Sequence, residues 1–386
     1  MKVSRYSLPQ ISELEKNDPL LIFLRKVSKG SLVRVAVISL LINGLFGIGG
    51  ALVLSTYYSR FGANFISFFD IREWPVVCYT YLIHYPLIWT YYFWQMDGFL
   101  ATLRKLENTG IIGTPRTQIP KHMFLTRTLV EDFSRPRKRI LPVTFLVGFL
   151  LFWALIWFQQ DFSSIMLFTD KPITWSHINP FYYWLIWMPL NGFFLGYIIG
   201  WMFSRSYTTN AYFHRLFRMF EINPIPFHID RCNGLAPIGR YSKLNAYVIG
   251  LDYGLWLAVY IAFPLLFSST VNLDFVTIPY LLVFFFLASP LLLWPAIAAH
   301  LGMKSAKARI LDQIGSKLSR IIIKPGKTRN TQVDLEILKT KYTMLEKELH
   351  EWPFPSPGFF GFLLSALSAT IPTITSLLLE IYIKVV

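Results

Sequence analysis

Charge is scarce in this chain. Asp, Glu, Lys and Arg together make up 15% of its 386 residues, against 54% hydrophobic and 17% aromatic residues. With a mean hydropathy of +0.44, that composition excludes an ordinary soluble globular domain. Cysteine is nearly absent as well. The two present, Cys78 and Cys232, are placed on opposite faces of a membrane by the topology derived below, which excludes a disulfide between them and any oxidised scaffold. No Walker motif, serine-nucleophile elbow or HExxH occurs, and no matched pair of broken half-helices marks an inverted repeat. Energised transport and familiar hydrolase chemistry lose ground accordingly. There is no Asn-x-Ser/Thr acceptor, which fits a prokaryotic source. The opening stretch MKVSRYSLPQISELEKNDPL has no charged start followed by an apolar run and a small-residue cleavage site, so the chain is expected to insert through its own helices.

Long apolar runs, by contrast, are abundant. Stretches long enough to cross about 30 Å of hydrocarbon fall at 35–58, 75–96, 140–160, 181–203, 246–268, 276–301 and 358–383. The fold class expected is therefore all-α, a polytopic membrane helix bundle of seven transmembrane helices. The distribution of positive charge orients it. Segments 1–34, 97–139, 204–245 and 302–357 hold 7, 9, 6 and 11 Lys plus Arg, or 33 of the 37, and the alternate segments hold the other 4. Since Lys and Arg near span ends stay cytoplasmic, the N-terminus is expected inside and the C-terminus outside. The net charge of +15 is then a record of topology, and no nucleic-acid partner is expected. This orientation is opposite to that of receptors with an external N-terminus, and the seventh run has no Lys at mid-depth to hold retinal.

The domain organisation follows. Residues 1–34 form a cytoplasmic N-terminal segment. Residues 35–301 carry transmembrane helices 1–6, with cytoplasmic helical extensions at 97–139 and 204–245. Residues 302–357 form a cytoplasmic helical hairpin, and 358–386 the seventh transmembrane helix. In the hairpin, Ala306, Ile310, Ile314, Leu318 and Ile321 recur every three or four residues, and Pro325 and Gly326 break the helix. A second helix returns with Leu335, Leu338, Tyr342, Leu345, Leu349 and Trp352 as an a/d seam. So short a seam is expected to pack against its own neighbours. Segments 97–110 and 121–134 read as a shorter version of the same hairpin, as do 204–221 and the region before the fifth span.

One loop concentrates chemistry-bearing residues, NPIPFHIDRCNGLAPIGRYS over 223–242. His228, Asp230, Arg231 and Cys232 form a candidate cytoplasmic site. In an extended segment His228, Asp230 and Cys232 share one side and offer N, O and S donors. A structural zinc site needs four ligands and no second Cys/His pair stands at finger spacing, so no metal and no cofactor is expected. Acid–base or phosphoryl-transfer work would need a partner from another loop, and no catalytic residue is assigned. The bland reading is a corner: Pro224 and Pro226 end the incoming helix, Asp230 and Asn233-Gly234 make turns, Gly239 allows another, and Arg231 and Arg240 sit at headgroups or pair with Asp230. The stretch resembles His-Pro-Asp…Gly-Gly-Leu loops of bacterial membrane proteins, a likeness that implies no activity.

Within the spans, Gly192, Gly196 and Gly200 form a helix-packing face that lets another helix approach, inside the subunit or between subunits. In the seventh, Ser365, Ala369, Thr373, Ser376 and Glu380 follow at spacings of 4, 4, 3 and 4. Such a hydroxylated stripe ending in a carboxylate suits the lining of a cation pore, although Ser and Thr also bond to their own helix carbonyls. His84, Asn43, Asn191 and Asp252 are the other polar groups in apolar surroundings; they form no readable proton relay, and His84 is expected to meet a neighbouring Tyr. Pro290 and Pro295 mark the sixth helix as the most readily kinked.

Seven spans, an internal N-terminus, an external C-terminus, helices running into a cytoplasmic stalk and a polar final helix resemble the seven-helix ion-channel superfamily that includes insect olfactory and gustatory receptors, with prokaryotic relatives. That likeness implies a tetramer held by its stalks and a pore lined by the seventh helix, here Ser365, Thr373, Ser376 and Glu380. The Thr-Tyr…Gln-Phe signature of the insect members is missing from ATIPTITSLLLEIYIKVV. Three functions stay open: an oligomeric channel-like protein for small cations, a non-catalytic membrane scaffold or signalling or defence partner, and a membrane enzyme acting on lipid head groups through the His228 loop. The expected partners are the lipid bilayer of a prokaryotic inner membrane, further copies of the chain and a protein on the cytoplasmic face.

Overall fold

A computed structural model of the protein describes residues 8–45, 78–116, 120–134, 143, 188–226, 228–257, 289–323 and 329–354. The seventh apolar run with Ser365, Thr373, Ser376 and Glu380, and the breakers Pro325 and Gly326, lie outside the described residues. What is described is mostly helical, in keeping with an all-α chain. The elements are α1 (Ile11–Glu15), α2 (Pro19–Ser28), α3 (Leu32–Gly44), a π-helical turn (Tyr79–His84) leading into α4 (Tyr85–Asn108), β1 (Ile112–Pro115), one short turn of helix (Lys121–Met123) and a second π-helical turn (Phe124–Thr128) leading into α5 (Leu129–Ser134), α6 (Met188–Met219), β2 (Phe220–Ile222), α7 (Ala236–Leu257), α8 (Ser289–Ile323) and α9 (Arg329–Glu348). Two compact units divide them. The first comprises Met1–Ala101, Gln118–Tyr212 and Tyr247–Leu292, the second Thr102–Thr117, Phe213–Ala246 and Leu293–Val386.

Local chemistry shapes the start of the first unit. Asp18 caps α2, its carboxylate accepting from the Leu21 N–H at 3.2 Å, with Pro19 at the first helical position, where its missing N–H costs nothing. Lys29 and Gly30 then take left-handed backbone at φ 50° and 81°, a helix stop that favours glycine, and Ser31 caps α3. The result is a bend of 110° between α2 and α3. Their inner faces share a core, with Leu21, Leu24 and Val35 buried beside Trp89, Tyr92, Phe93, Ile198 and Trp201. Among the described residues no single helix is long and apolar enough to cross a membrane; α2 and α3 pass that test together, as a bent pair.

The second unit contains a feature that the sequence pattern does not announce, a two-stranded antiparallel ribbon. β1 pairs with β2, Ile112 opposite Ile222 and Pro115 opposite Phe220, with an irregularity between. Segment 204–221 therefore does not stay helical to its end: α6 stops at Met219 and the chain turns extended. The seam read between the two hairpin helices is packed, apart from Trp352. Ile314, Leu345 and Leu349 are buried in a seam with Ile310, Leu311, Leu318, Leu338 and Tyr342 packed around them. Trp352 lies beyond the helix, stacked on His300 with 4.0 Å between ring centroids and planes 12° apart. Helix α8 lies against the ribbon's base, where a side chain on Gly302 would meet Ile222 and Phe217. The Arg309 guanidinium donates to Glu221 at 2.6 Å and to the Ile222 carbonyl at 3.1 Å.

Candidate functional site

The loop at 228–235 is a set of turns organised around one carboxylate. Arg231, Asn233 and Gly234 all have positive φ, 54°, 54° and 90°, so the segment is not extended and its side chains do not line up on one side as the sequence suggests. Asp230 Oδ1 accepts from the backbone N–H of Cys232 at 2.9 Å and of Gly234 at 3.0 Å, and Oδ2 accepts from the Ala236 N–H, the first residue of α7, at 3.2 Å. The side chain that meets it is His228, with Nδ1 2.8 Å from Oδ1, rather than Arg231. Burial works against the Asp230 charge, but the N–H groups of Cys232, Gly234 and Ala236 and the His228 side chain together outweigh it and hold the carboxyl below its usual range. The Cys232 thiol is buried, and burial beside the Asp230 charge pushes it up to about 12. A thiol so placed is neither a nucleophile nor a ready metal ligand at neutral pH. Among the described residues no three His, Cys, Asp or Glu side chains converge on a point that could hold a metal ion. Asn233 donates from Nδ2 to the His350 carbonyl at 2.9 Å, which ties the loop to the end of the hairpin. Gly239, read from sequence as a turn, is instead helical and lies against the carbonyl of Pro353, where a Cβ would collide with backbone.

Two polar clusters of the first unit were not apparent from the sequence. In one, the carboxylate of Asp18 is surrounded. The Tyr92 hydroxyl donates to it at 2.6 Å, the Tyr197 hydroxyl at 2.9 Å, and Arg205 pairs with it from α6. Arg205 also donates to the Tyr92 carbonyl at 3.1 Å, and its guanidinium lies 4.6 Å from the Tyr92 ring and 5.5 Å from the Trp201 ring. Beside it Arg25 spans Glu15 and Asp97, donating at 2.6 Å and 3.2 Å, over the face of Phe93. Burial pushes the Glu15 carboxyl up, and the Arg25 guanidinium draws it back only in part. Asp18-Pro19 is a recognisable helix start; its long-range partners leave no local signal.

In the other cluster, the sequence singled out two members without joining them. His84 Nδ1 lies 2.8 Å from Asp252 Oδ1 and 3.1 Å from Oδ2. The Tyr79 hydroxyl donates to Asp252 Oδ1 and to its backbone carbonyl, both at 3.0 Å. The neighbouring-Tyr expectation for His84 is met by Tyr79, at 3.4 Å and in ring contact, but the stronger partner comes from α7. Tyr79 and His84 bound the π-helical turn ahead of Pro86. Proline cannot donate to the preceding turn and its ring crowds the carbonyl four residues back, a defect that a widened turn absorbs.

Of the remaining predicted residues, Gly192, Gly196 and Gly200 all fall in α6, and Gly196 and Gly200 are buried. Asn43 turns inward, donating to the Ser39 carbonyl at 2.9 Å and hydroxyl at 3.1 Å. No family model, curated protein or solved structure matches this chain.

Proposed function

We propose that the chain is a multi-pass membrane protein of a prokaryotic inner membrane that assembles into an oligomer and passes small cations. The observation that supports this reading is the Tyr79–His84–Asp252 cluster. It sets a carboxylate, an imidazole and a phenol together within the apolar runs 75–96 and 246–268. An ionisable pair in such surroundings is costly, and residues of this kind mark paths for ions or protons. The seven apolar runs and the distribution of positive charge support the topology. Glu380 and the stripe Ser365, Thr373 and Ser376 would line the outer part of the path. The test is cation flux into vesicles reconstituted with purified protein. Wild type should conduct, Asp252→Asn should reduce flux by about tenfold or more, and Glu380→Gln should change selectivity. A monomer without flux would overturn the reading.

A scaffold role is favoured by a separate observation. On α9, Val333, Ile337 and Met344 are exposed, at spacings of 4 and 7 and off the buried seam, a face a partner protein could cover. Copurification of a defined partner, lost in Ile337→Asp, would support it. The enzyme reading loses support, because in the His228 loop the carboxylate is committed to backbone N–H groups and the thiol is buried.

A further inference from the structure

Helix α2 has two faces with different tasks. Leu21, Leu24 and Ser28 point into the core of the first unit. Turned away from that core, Ile22, Phe23 and Val27 are 47%, 54% and 46% exposed, and Lys26 and Lys29 are exposed beside them. At 100° per residue the exposed arc within the helix runs in the order Ile22, Lys26, Phe23, Val27, with a lysine edge at Lys26 and an apolar edge at Phe23 and Val27, and Lys29 follows at the left-handed cap. Free apolar side chains in this number on one short helix call for a cover.

The identity of the cover is indicated by the elbow. Helix α3, which leaves α2 at 110°, opens the first apolar run, and it also exposes Val33 and Val37 away from the shared core. A helix set across the base of a membrane-entering helix lies along the membrane surface, where an apolar edge reaches the acyl layer and a lysine edge reaches the phosphates. The basic edge has no acid to pair with on its own helix. The one arginine of α2, Arg25, is committed to Glu15 and Asp97, so it takes no part, whereas Lys26, Lys29 and the exposed Arg34 at the start of α3 carry their charge outward. The attachment of Asp18 to Arg205, Tyr92 and Tyr197 fixes the orientation of the helix about its axis, so the arc is presented in one direction. We infer that α2 is an interfacial helix that binds anionic phospholipid of the cytoplasmic leaflet, Phe23 and Val27 entering the acyl boundary and Lys26, Lys29 and Arg34 holding phosphate head groups. This inference rests on the membrane reading proposed above, though not on conduction.

Two measurements on the full-length protein test it. Lys26→Gln with Lys29→Asn removes two exposed charges, asparagine being suited to the left-handed backbone at position 29. Native mass spectrometry of detergent-solubilised protein titrated with phosphatidylglycerol should show affinity falling about 30-fold in the double variant, with phosphatidylcholine binding unchanged. In a Cys78→Ser background, with the buried Cys232 left in place, a nitroxide at Phe23→Cys should collide mainly with oxygen in phosphatidylglycerol-containing vesicles. A nitroxide at Lys29→Cys should collide mainly with a water-soluble nickel complex. Equal nickel access at both positions, or unchanged phosphatidylglycerol affinity, overturns the inference while vesicle insertion and flux stand. Shielding from both reagents together with spin–spin broadening overturns it in favour of a second copy covering the arc. Protein that alkaline carbonate strips from vesicles overturns the inference and the membrane reading together.

Discussion

Arg205 pairs with Asp18 across 187 residues of sequence, and the side chains keep only 4% and 1% of their exposure. A buried pair is not in itself a large source of stability, because desolvating both charges offsets most of the attraction. Removing one partner is another matter. Arg205→Met leaves the Asp18 carboxylate with two phenols and the Leu21 N–H but no countercharge, and should cost about 3–5 kcal/mol. Asp18→Asn combined with Arg205→Met strands no charge and should recover a substantial part of that loss. Thermal unfolding of the two variants in detergent checks the order; equal destabilisation would mean that the ion pair is not the element holding α2 in place.

Cys232 should behave as an inert thiol. With its ionisation pushed up to about 12, its thiolate fraction at pH 8 is roughly a thousandfold below that of an ordinary cysteine. Maleimide labelling of Cys232 in a Cys78→Ser background should therefore proceed at that much lower a rate than for a cysteine-containing peptide, rising about tenfold per pH unit up to pH 11. Mass spectrometry of timed samples reads it directly, and rapid modification at pH 7 would contradict the buried geometry.

Asp230 stabilises the second unit in a pH-dependent way whose sign follows from its depressed ionisation. The unfolded chain takes up a proton on this carboxyl at about pH 4, the folded chain only at lower pH. The stabilisation is thus complete above about pH 4 and is lost as pH falls through the folded value. Asp230→Ala, which orphans the N–H groups of Cys232, Gly234 and Ala236, should cost about 1–3 kcal/mol at neutral pH. The gap between wild type and variant should narrow in denaturant melts run below pH 4. A gap that widens in acid would show that the carboxylate is not the group being stabilised.

How far the sequence could be read depends on the range of each interaction. The hairpin seam was legible because Ile310, Ile314, Leu338, Tyr342, Leu345 and Leu349 follow the local period of a helix. The turns at Asn233 and Gly234 were legible because those residue types tolerate positive φ. The ribbon was not: β1 and β2 are four and three residues long, too short for alternation to register, and one contains a proline. The clusters around Asp18 and Asp252 were not legible either. Each joins residues far apart in sequence, and nothing in the composition near His84 points to Asp252 rather than to another acid. The misreading of Gly239 has a different cause. Glycine appears where a backbone must turn and also where a neighbour must come close, and only the position of Pro353 separates the two.

The seam itself allows a direct measurement. Leu345 and Leu349 are buried against Ile314, and truncating either to alanine removes buried methylenes and leaves a cavity in the seam. Leu349→Ala should cost about 2–4 kcal/mol, whereas Ile337→Ala, on the exposed face of the same helix, should change stability by under about 0.5 kcal/mol. Thermal melts followed by circular dichroism distinguish the two.

Gly239 offers the sharpest test of how the second unit is assembled. A methyl group there would run into the Pro353 carbonyl and crowd the Phe354 ring, and a peptide carbonyl, unlike the end of a long side chain, cannot swing away. Gly239 is helical, so in an isolated helix alanine would be favoured by about 1 kcal/mol. The two effects therefore oppose each other, and the sign of the result is informative. If α7 and segment 351–354 pack as described, Gly239→Ala destabilises by about 1–3 kcal/mol despite the better helix former. Proteolysis within 351–354 should rise with it, since the bond from Asn233 to His350 and the stacking of Trp352 on His300 belong to the same seat. A stabilised variant with unchanged proteolysis would mean that the segment stands away from α7, and that the loop around Asp230 closes without the end of the hairpin.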